Sequence, residues 1–258
     1  MWRFEPISPF GLVITPGKPQ VELSTFSAGF VERLIGIHRV VIFRGFPSLV
    51  DDAFTRFCEH FGEILEWEFG AVNDLVVHDE ARNYLYTNRA VPFHWDGAFV
   101  ERAPHYIFFH CDLAPEPGNG GETLFCDTTR VLDSASSEER ALWEQILITY
   151  STEKIVHYGG TFTSPMIVEH PFLRVPVLRY AEPVVDLNHV TLSIEGVAEK
   201  DRASFIAAMA HRLRDPRCCY SHQWLARDVV IADNHTLLHG REAFRTGASR
   251  HIRRVNIV

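Results

Sequence analysis

The chain has 258 residues, 46% of them hydrophobic, and its 25 lysines and arginines against 33 aspartates and glutamates leave a net charge of −8 and a pI near 5.9. That length suits one elaborated β-barrel with insertions, so a single domain over residues 1–258 is expected, with ample apolar material for a core. The acidic balance provides no basic surface for nucleic acid or anionic lipid, and no apolar run approaches the roughly 18 residues needed to cross a bilayer.

The amino terminus, Met1-Trp2-Arg3-Phe4-Glu5-Pro6, has no charged-then-apolar signal pattern, so a cytoplasmic location is expected. Phe26 to Ile37 carries a helix-like pattern with Ser24 as its cap, and Val40 to Phe43 follows as a strand. Asp51 to Phe61 reads as a second helix, stopped by Gly62. Around His94-Trp95-Asp96 the chain reads as extended; successive side chains then alternate faces, so His94 and Asp96 project together and Trp95 points away. Tyr106 to Cys111 is apolar enough for an interior strand. Gly118-Asn119-Gly120-Gly121 is a turn opening into a strand that carries Thr123, whose hydroxyl can donate to a carboxylate. With no GxxxxGK[ST] or GxGxxG pattern, that turn is no sign of phosphate binding.

Helices are expected from Ser137 to Leu147, capped by Ser136 or Ser137 with Glu138 and Glu139 at the positive end, and from Lys200 to Leu213. Val229 to Ala232 reads as a buried strand ended by a turn at Asp233-Asn234, which places His239 beside a turn. Arg250 to Val258 alternates like a strand with Arg250, Ile252 and Arg254 on one face, and an isoleucine between two arginines points to a partly enclosed surface. The five cysteines are odd in number and include no CxxC pair, which argues for reduced, mostly buried thiols rather than a disulfide framework or zinc site.

Two imidazoles and one carboxylate can take one face of an octahedral iron and leave the other open, so His94, Asp96 and His239 form the ligand set of a non-haem Fe(II) oxygenase. The HxD triplet alone is common, and a hydrogen-bonded surface pair is its bland alternative. Eleven positions past His239 stands Arg250, whose planar fork can grip the distal carboxylate of 2-oxoglutarate through two parallel hydrogen bonds. His235 is read as a hydrogen-bonded structural residue, as are His78, His105, His110, His157 and His251. Trp67, Phe69, Tyr86, Phe93 and Phe99 could wall an aromatic substrate, though core packing is the expectation for most of them. No GxSxG elbow supports a hydrolase triad.

The order His94-x-Asp96, Gly121-Glu122-Thr123-Leu124-Phe125, His239-Gly240-Arg241, Arg250 and Arg254 resembles the taurine dioxygenase (TauD/TfdA) family of Fe(II)/2-oxoglutarate oxygenases, from the Val40 to Phe46 segment to the last strand. Phe69-Gly70-Ala71-Val72, Val91 to Gly97, His157-Tyr158 and Ile231 to Phe244 resemble its isonitrile-biosynthesis branch, the PvcB or IsnB type. The resemblance implies a mainly β (α+β) fold, a double-stranded β-helix or jelly roll with helices packed outside. It also implies His94, Asp96 and His239 as iron ligands, and Thr123 and Arg250 on the 2-oxoglutarate carboxylates. Arg254 would contact cosubstrate or the substrate carboxylate, with a salt-bridged structural role as the alternative. Dioxygen is the second cosubstrate, and a carboxylate at Asp96, where halogenases of this chemistry seat chloride, disfavours chlorination.

The implied substrate is an aromatic amino-acid-derived isonitrile such as tyrosine isonitrile, oxidised to an α,β-unsaturated acid or, with decarboxylation, to a vinyl isonitrile. A hydroxylase of a free amino acid or other small carboxylate is the alternative enzyme, and a metal-binding cupin-like sensor the non-enzymatic one. Arg250 separates them, since a sensor has no need of a diacid anchor. The substrate is a small molecule, with neither nucleic acid nor membrane as partner, and homo-oligomerisation stays open.

Overall fold

The computed structural model describes residues 2–50, 52–67, 70–78, 80–99, 102–155 and 158–258. Asp51, Phe69 and His157, singled out above, lie outside the described residues. In chain order the strands are β1 (Trp2–Pro6), β2 (Leu12–Pro16), β3 (Val40–Phe43), β4 (Asn73–Leu75), β5 (Val91–His94), β6 (Tyr106–Leu113), β7 (Thr123–Asp127) and β8 (Leu147–Ile155). They continue with β9 (Tyr158–Pro165), β10 (Ile167–Glu169), β11 (Pro176–Leu178), β12 (Thr191–Glu195), β13 (Cys219–His222), β14 (Val229–Asp233), β15 (Leu237–Arg241) and β16 (His251–Ile257). The α-helices are α1 (Ala28–His38), α2 (Ala53–Glu59), α3 (Thr128–Asp133), α4 (Ser137–Trp143) and α5 (Arg202–Leu213).

A seven-stranded sheet in the order β1-β2-β3-β14-β6-β16-β4 faces a four-stranded sheet in the order β13-β7-β15-β5. Alternation along each strand divides the apolar residues between two layers. Val230 and Ala232 of β14, Ile107 and Phe109 of β6, and Ile252 of β16 meet Phe125 and Leu237 of the smaller sheet. The opposite faces of the same strands, carrying Val229, Ile231, Phe108 and Val255, pack against Val31 and Ile35 of α1 and Phe54 and Phe57 of α2. Phe108 is fully buried, with the rings of Phe61 and Phe57 at 4.9 and 6.1 Å, so cutting it to alanine would cost about 3–5 kcal/mol. The smaller sheet's outer face, with Phe93, Leu124, Cys126 and Leu238, is covered by the cluster containing Trp143, Met209 and Leu213 from the helices.

The expected helices are present, with shifted ends. Helix α1 begins at Ala28 because Leu23–Thr25 forms a separate 3-10 turn and Phe26 is extended beyond it. Ser27 takes the cap position, while Ser24 donates to Glu22 instead. Phe26 turns into the core against Phe43 at 5.1 Å. Helix α2 is shorter at both ends than Asp51 to Phe61. Helix α4 stops at Trp143 rather than Leu147, which opens β8 opposite Glu195 of β12. Its capping box is the expected one, with Ser136 accepting from the Glu139 N–H and Glu139 accepting from that of Ser136. Before α5, Glu199–Asp201 winds as a 3-10 turn, so the helix proper begins at Arg202. Among the described residues no helix is long and apolar enough to cross a membrane, and the five cysteines are free.

Candidate metal centre

Register brings the two imidazoles together. Strands β15 and β5 run antiparallel with His239 directly opposite His94, and side chains of such a pair share a face; the ring centroids are 4.3 Å apart. His239 therefore sits inside a strand rather than beside a turn, because the turn closes at Thr236 and pairing resumes at Leu237. The next residue has to be glycine, since a Cβ on Gly240 would lie 2.7 Å from the Val91 carbonyl oxygen. Strand β5 ends at His94, and Asp96 falls in the turn that follows, with its Oδ1 3.6 Å from His94 Nε2 and 3.7 Å from His239 Nε2. One ligand atom from each of the three residues lies within 4.8 Å of the others, a separation that a single ion can bridge. Trp95 turns into the core, edge-on to Tyr150 at 5.5 Å, as alternation requires.

Outer contacts orient each ligand. His94 Nδ1 lies 2.9 Å from the Pro92 carbonyl, to which it can only donate, so Nε2 keeps its lone pair. Asn256 donates to Asp96 Oδ2 at 2.8 Å, which leaves Oδ1 turned to the imidazoles. Arg254 lies 3.2 Å from Oδ2 and 3.3 Å from Oδ1, so its guanidinium is engaged with Asp96. Burial works to raise the Asp96 pKa, but Arg254, then His239 and His94, hold the carboxyl far below the usual carboxylate range. Burial, then the neighbouring His94, pushes His239 down to about 3, so both groups are in the forms that ligate metals. The backbone is held as well. Asn234 accepts from the Asp96 N–H at 2.9 Å and donates to the Asp96 and Pro104 carbonyls at 2.8 Å. Glu182, paired with Arg214, accepts from the Phe93 N–H at 2.8 Å.

Beneath the triad is a cavity of about 30 Å³ lined by His94, His239, Thr123, Arg250, Arg254 and Leu75 among others. Arg250 is 5% exposed and donates through Nε to the Gly121 carbonyl at 3.1 Å and through Nη2 to Thr123 Oγ1 at 3.5 Å. Its Nη1 is buried without a partner, and Arg250 makes no ion pair among the described residues. Burial, then Arg241, pushes its pKa down to about 9, the mark of a cation lacking its counter-anion. Thr123 Oγ1 also accepts from Trp224 Nε1 at 3.0 Å; with two donors on its oxygen, its own hydrogen is left to donate. A carboxylate in this cavity would answer both groups.

Above the triad opens a second cavity of about 630 Å³, with His94 and Asp96 on its floor and Trp67, Tyr84, Tyr86, Phe99 and Tyr150 in its walls. Trp67, Tyr86 and Phe99 thus line a cavity over the open side of the triad, while Tyr86 and Phe99 also pack against the core clusters. Phe93 is fully buried and follows the core expectation. Arg241 anchors one wall by donating to the carbonyls of Leu85, Thr87 and Arg89 at 2.9, 2.6 and 2.8 Å.

Three further histidines make hydrogen bonds or ion pairs away from the triad. His235 Nδ1 accepts from Arg179 at 2.6 Å while Nε2 faces His105, and burial, then Arg179, lowers its pKa to about 3. His251 pairs with Asp74 at 2.6 Å. His110 Nε2 accepts from the Leu49 N–H, so its Nδ1–H is directed to Asp112 at 3.0 Å.

A family model described as "Taurine catabolism dioxygenase TauD, TfdA family" matches residues 3–256. The chain belongs to this family. Among its relatives, the 3-((Z)-2-isocyanoethenyl)-1H-indole synthase of Fischerella ambigua is 40% identical over 98% of this chain and 94% of its own length. The tyrosine isonitrile desaturase of Pseudomonas aeruginosa is 38% identical over 96% of this chain and 87% of its own length. The solved structure of PvcB, described as an Fe, alpha-ketoglutarate dependent oxygenase from an isonitrile synthetic pathway, superposes with a TM-score of 0.84 at 35% identity, covering 99% of this chain and 91% of that one. The paired sheets are the jelly-roll core of TauD-like oxygenases. Asn256, Asn234, Trp224 and Arg241 escape sequence reading because each acts on the site through a ligand, a backbone or a wall, and no spacing rule marks such contacts.

Proposed function

We propose that this chain, one domain over residues 1–258, is a cytoplasmic Fe(II)/2-oxoglutarate oxygenase that desaturates an isonitrile derived from an aromatic amino acid, tyrosine isonitrile or its tryptophan counterpart. The observation that carries the reading is a buried His-Asp-His face sharing a cavity with an arginine whose Nη1 has no partner. His94, Asp96 and His239 hold the iron, and Thr123 and Arg250 grip the distal carboxylate of 2-oxoglutarate. When bound, iron, 2-oxoglutarate and dioxygen supply a two-electron oxidation with succinate and carbon dioxide as by-products.

The protein's part is geometric and electrostatic. Asn256 engages Asp96 Oδ2, which leaves Oδ1 as the oxygen that would meet the metal. Arg254 balances the Asp96 charge and faces both cavities, where it can also meet the cosubstrate or the substrate carboxylate. The aromatic walls would hold the substrate's ring beside the triad and shield it from water. A net charge of −8 supports a small-molecule substrate over nucleic acid or membrane as partner.

The test is mass analysis of anaerobically loaded enzyme exposed to oxygen with tyrosine isonitrile and 2-oxoglutarate. Succinate should form only when Fe(II), oxygen, 2-oxoglutarate and isonitrile are all present, and the product should lack two hydrogens, alone or together with carbon dioxide. Gain of one oxygen, or turnover of free amino acids alone, would favour a hydroxylase instead.

A further inference from the structure

We propose that Asn73, oriented by Tyr86, forms a hydrogen-bond subsite for the polar head of the substrate, taking a lone pair from the carboxylate or isonitrile on its α-carbon. This rests on the reaction proposed above. Asn73 pairs with Arg254 across β4 and β16, and cross-strand partners project to the same face with Cβ atoms roughly 4.5–5.5 Å apart. Arg254 touches Asp96, so Asn73 stands one side chain away from the metal ligands, and it lines the larger cavity with them.

Asn73 is 4% exposed, and its Oδ1 accepts from the Tyr86 hydroxyl at 3.0 Å. With the carbonyl side of the amide fixed, the Nδ2 hydrogens are the remaining valence, and among the described residues Nδ2 makes no hydrogen bond. Asn73 and Tyr86 are both cavity residues, so the pair is a prearranged donor in an enclosure lined largely by aromatic and aliphatic side chains. Arg254, the cation lining that cavity, already has Nη1 on Asp96. Reaction at the benzylic carbon puts the adjacent α-carbon, with its carboxylate and isonitrile, beside the triad while the ring extends towards Trp67 and Phe99. The head group then lies where Asn73 is, and each of its substituents offers an acceptor lone pair. An unmatched buried donor would cost about 1–3 kcal/mol, so the subsite also rejects a purely apolar ligand.

The experiment measures binding to anaerobic Mn(II)- and 2-oxoglutarate-loaded protein by calorimetry, for the wild type and for Asn73→Leu, Asn73→Asp and Tyr86→Phe. Three probes are used: tyrosine isonitrile, para-hydroxyphenylpropanoate, which has no isonitrile, and the tyramine-derived isonitrile, which has no carboxylate. Asn73→Leu should weaken tyrosine isonitrile about tenfold and Tyr86→Phe about threefold, the loss expected for one neutral hydrogen bond and for its orientation, with 2-oxoglutarate affinity unchanged. Asn73→Asp, of the same shape but anionic, should weaken the carboxylate-bearing probes further. Alongside the loss for tyrosine isonitrile, a loss shared by para-hydroxyphenylpropanoate but not by the tyramine-derived isonitrile assigns the donor to the carboxylate, and the reverse assigns it to the isonitrile. Unchanged affinity for all three probes in both Asn73→Leu and Tyr86→Phe, or a parallel loss of 2-oxoglutarate binding, overturns the subsite. If the wild type turns over neither tyrosine nor tryptophan isonitrile, the reaction itself is wrong and the subsite falls with it; turnover with unchanged variants sinks the subsite alone.

Discussion

The two sides of the triad are built differently. Below it, the cavity with Arg250 and Thr123 lies between the two sheets, lined by residues of β7 and β15 on one side and of β6 and β16 on the other, with Arg250 just ahead of β16, and most of its side chains are buried. Above it, the wider cavity is walled by segments around Trp67, Tyr84 to Tyr86 and Phe99, with the Val184–Val190 bridge at its edge, and most of these residues are partly exposed. On the proposed function, a diacid common to many enzymes would meet a close-fitting receptor, while the substrate would meet a surface that can change without disturbing a ladder. Loops on a fixed scaffold are where specificity can vary at least cost to the fold.

Substitutions can break this division. Asp96→Ala, on the boundary, should reduce iron-dependent turnover to background, read as succinate formed; wild-type turnover would remove Asp96 from the centre. Arg250→Ala should raise the KM for 2-oxoglutarate roughly a hundredfold, since charge-assisted hydrogen bonds contribute about 1.5–3 kcal/mol each, and should leave the KM for the isonitrile unchanged. Equal shifts in both constants would erase the distinction between the two sides.

Smaller changes sharpen it. Asn256→Leu removes one of the two donors at Asp96 Oδ2, leaving Arg254, and should weaken metal binding about 10–100-fold in competition titrations, the usual penalty for losing an outer-shell partner. On the loop side, Phe99→Ala should raise the isonitrile KM about tenfold by removing ring contact, with 2-oxoglutarate untouched. Trp224→Phe should raise the 2-oxoglutarate KM only about fivefold, because Thr123 stays in place and loses one donor worth about 1 kcal/mol. If Phe99→Ala moved the 2-oxoglutarate constant as far as Trp224→Phe does, the sides would be coupled.

The same contrast decides what the sequence could reveal. His94, His239, Thr123 and Arg250 lie in or beside strands whose alternation can be read from the letters, and Ile252 between two arginines correctly signals an enclosed face. Helix ends drifted where a 3-10 turn or a following strand took residues that propensity alone would leave helical, as at Phe26 and Leu147. Between core packing and a substrate wall the letters do not decide for Trp67, Tyr86 and Phe99, because aromatic residues in short irregular segments carry no period, and only the folded chain shows that they line a void. The Asp96–Arg254 contact joins residues 158 positions apart, a separation that no local pattern encodes.

Metal and Arg250 are expected to act together on one diacid. The most direct measurement is an anaerobic calorimetric titration of 2-oxoglutarate into Mn(II)-loaded wild type, metal-free wild type and Mn(II)-loaded Arg250→Ala. One equivalent should bind to the loaded wild type, roughly a hundredfold more weakly to Arg250→Ala, and weakly or not at all to the metal-free protein. Equal affinity in all three would contradict the account.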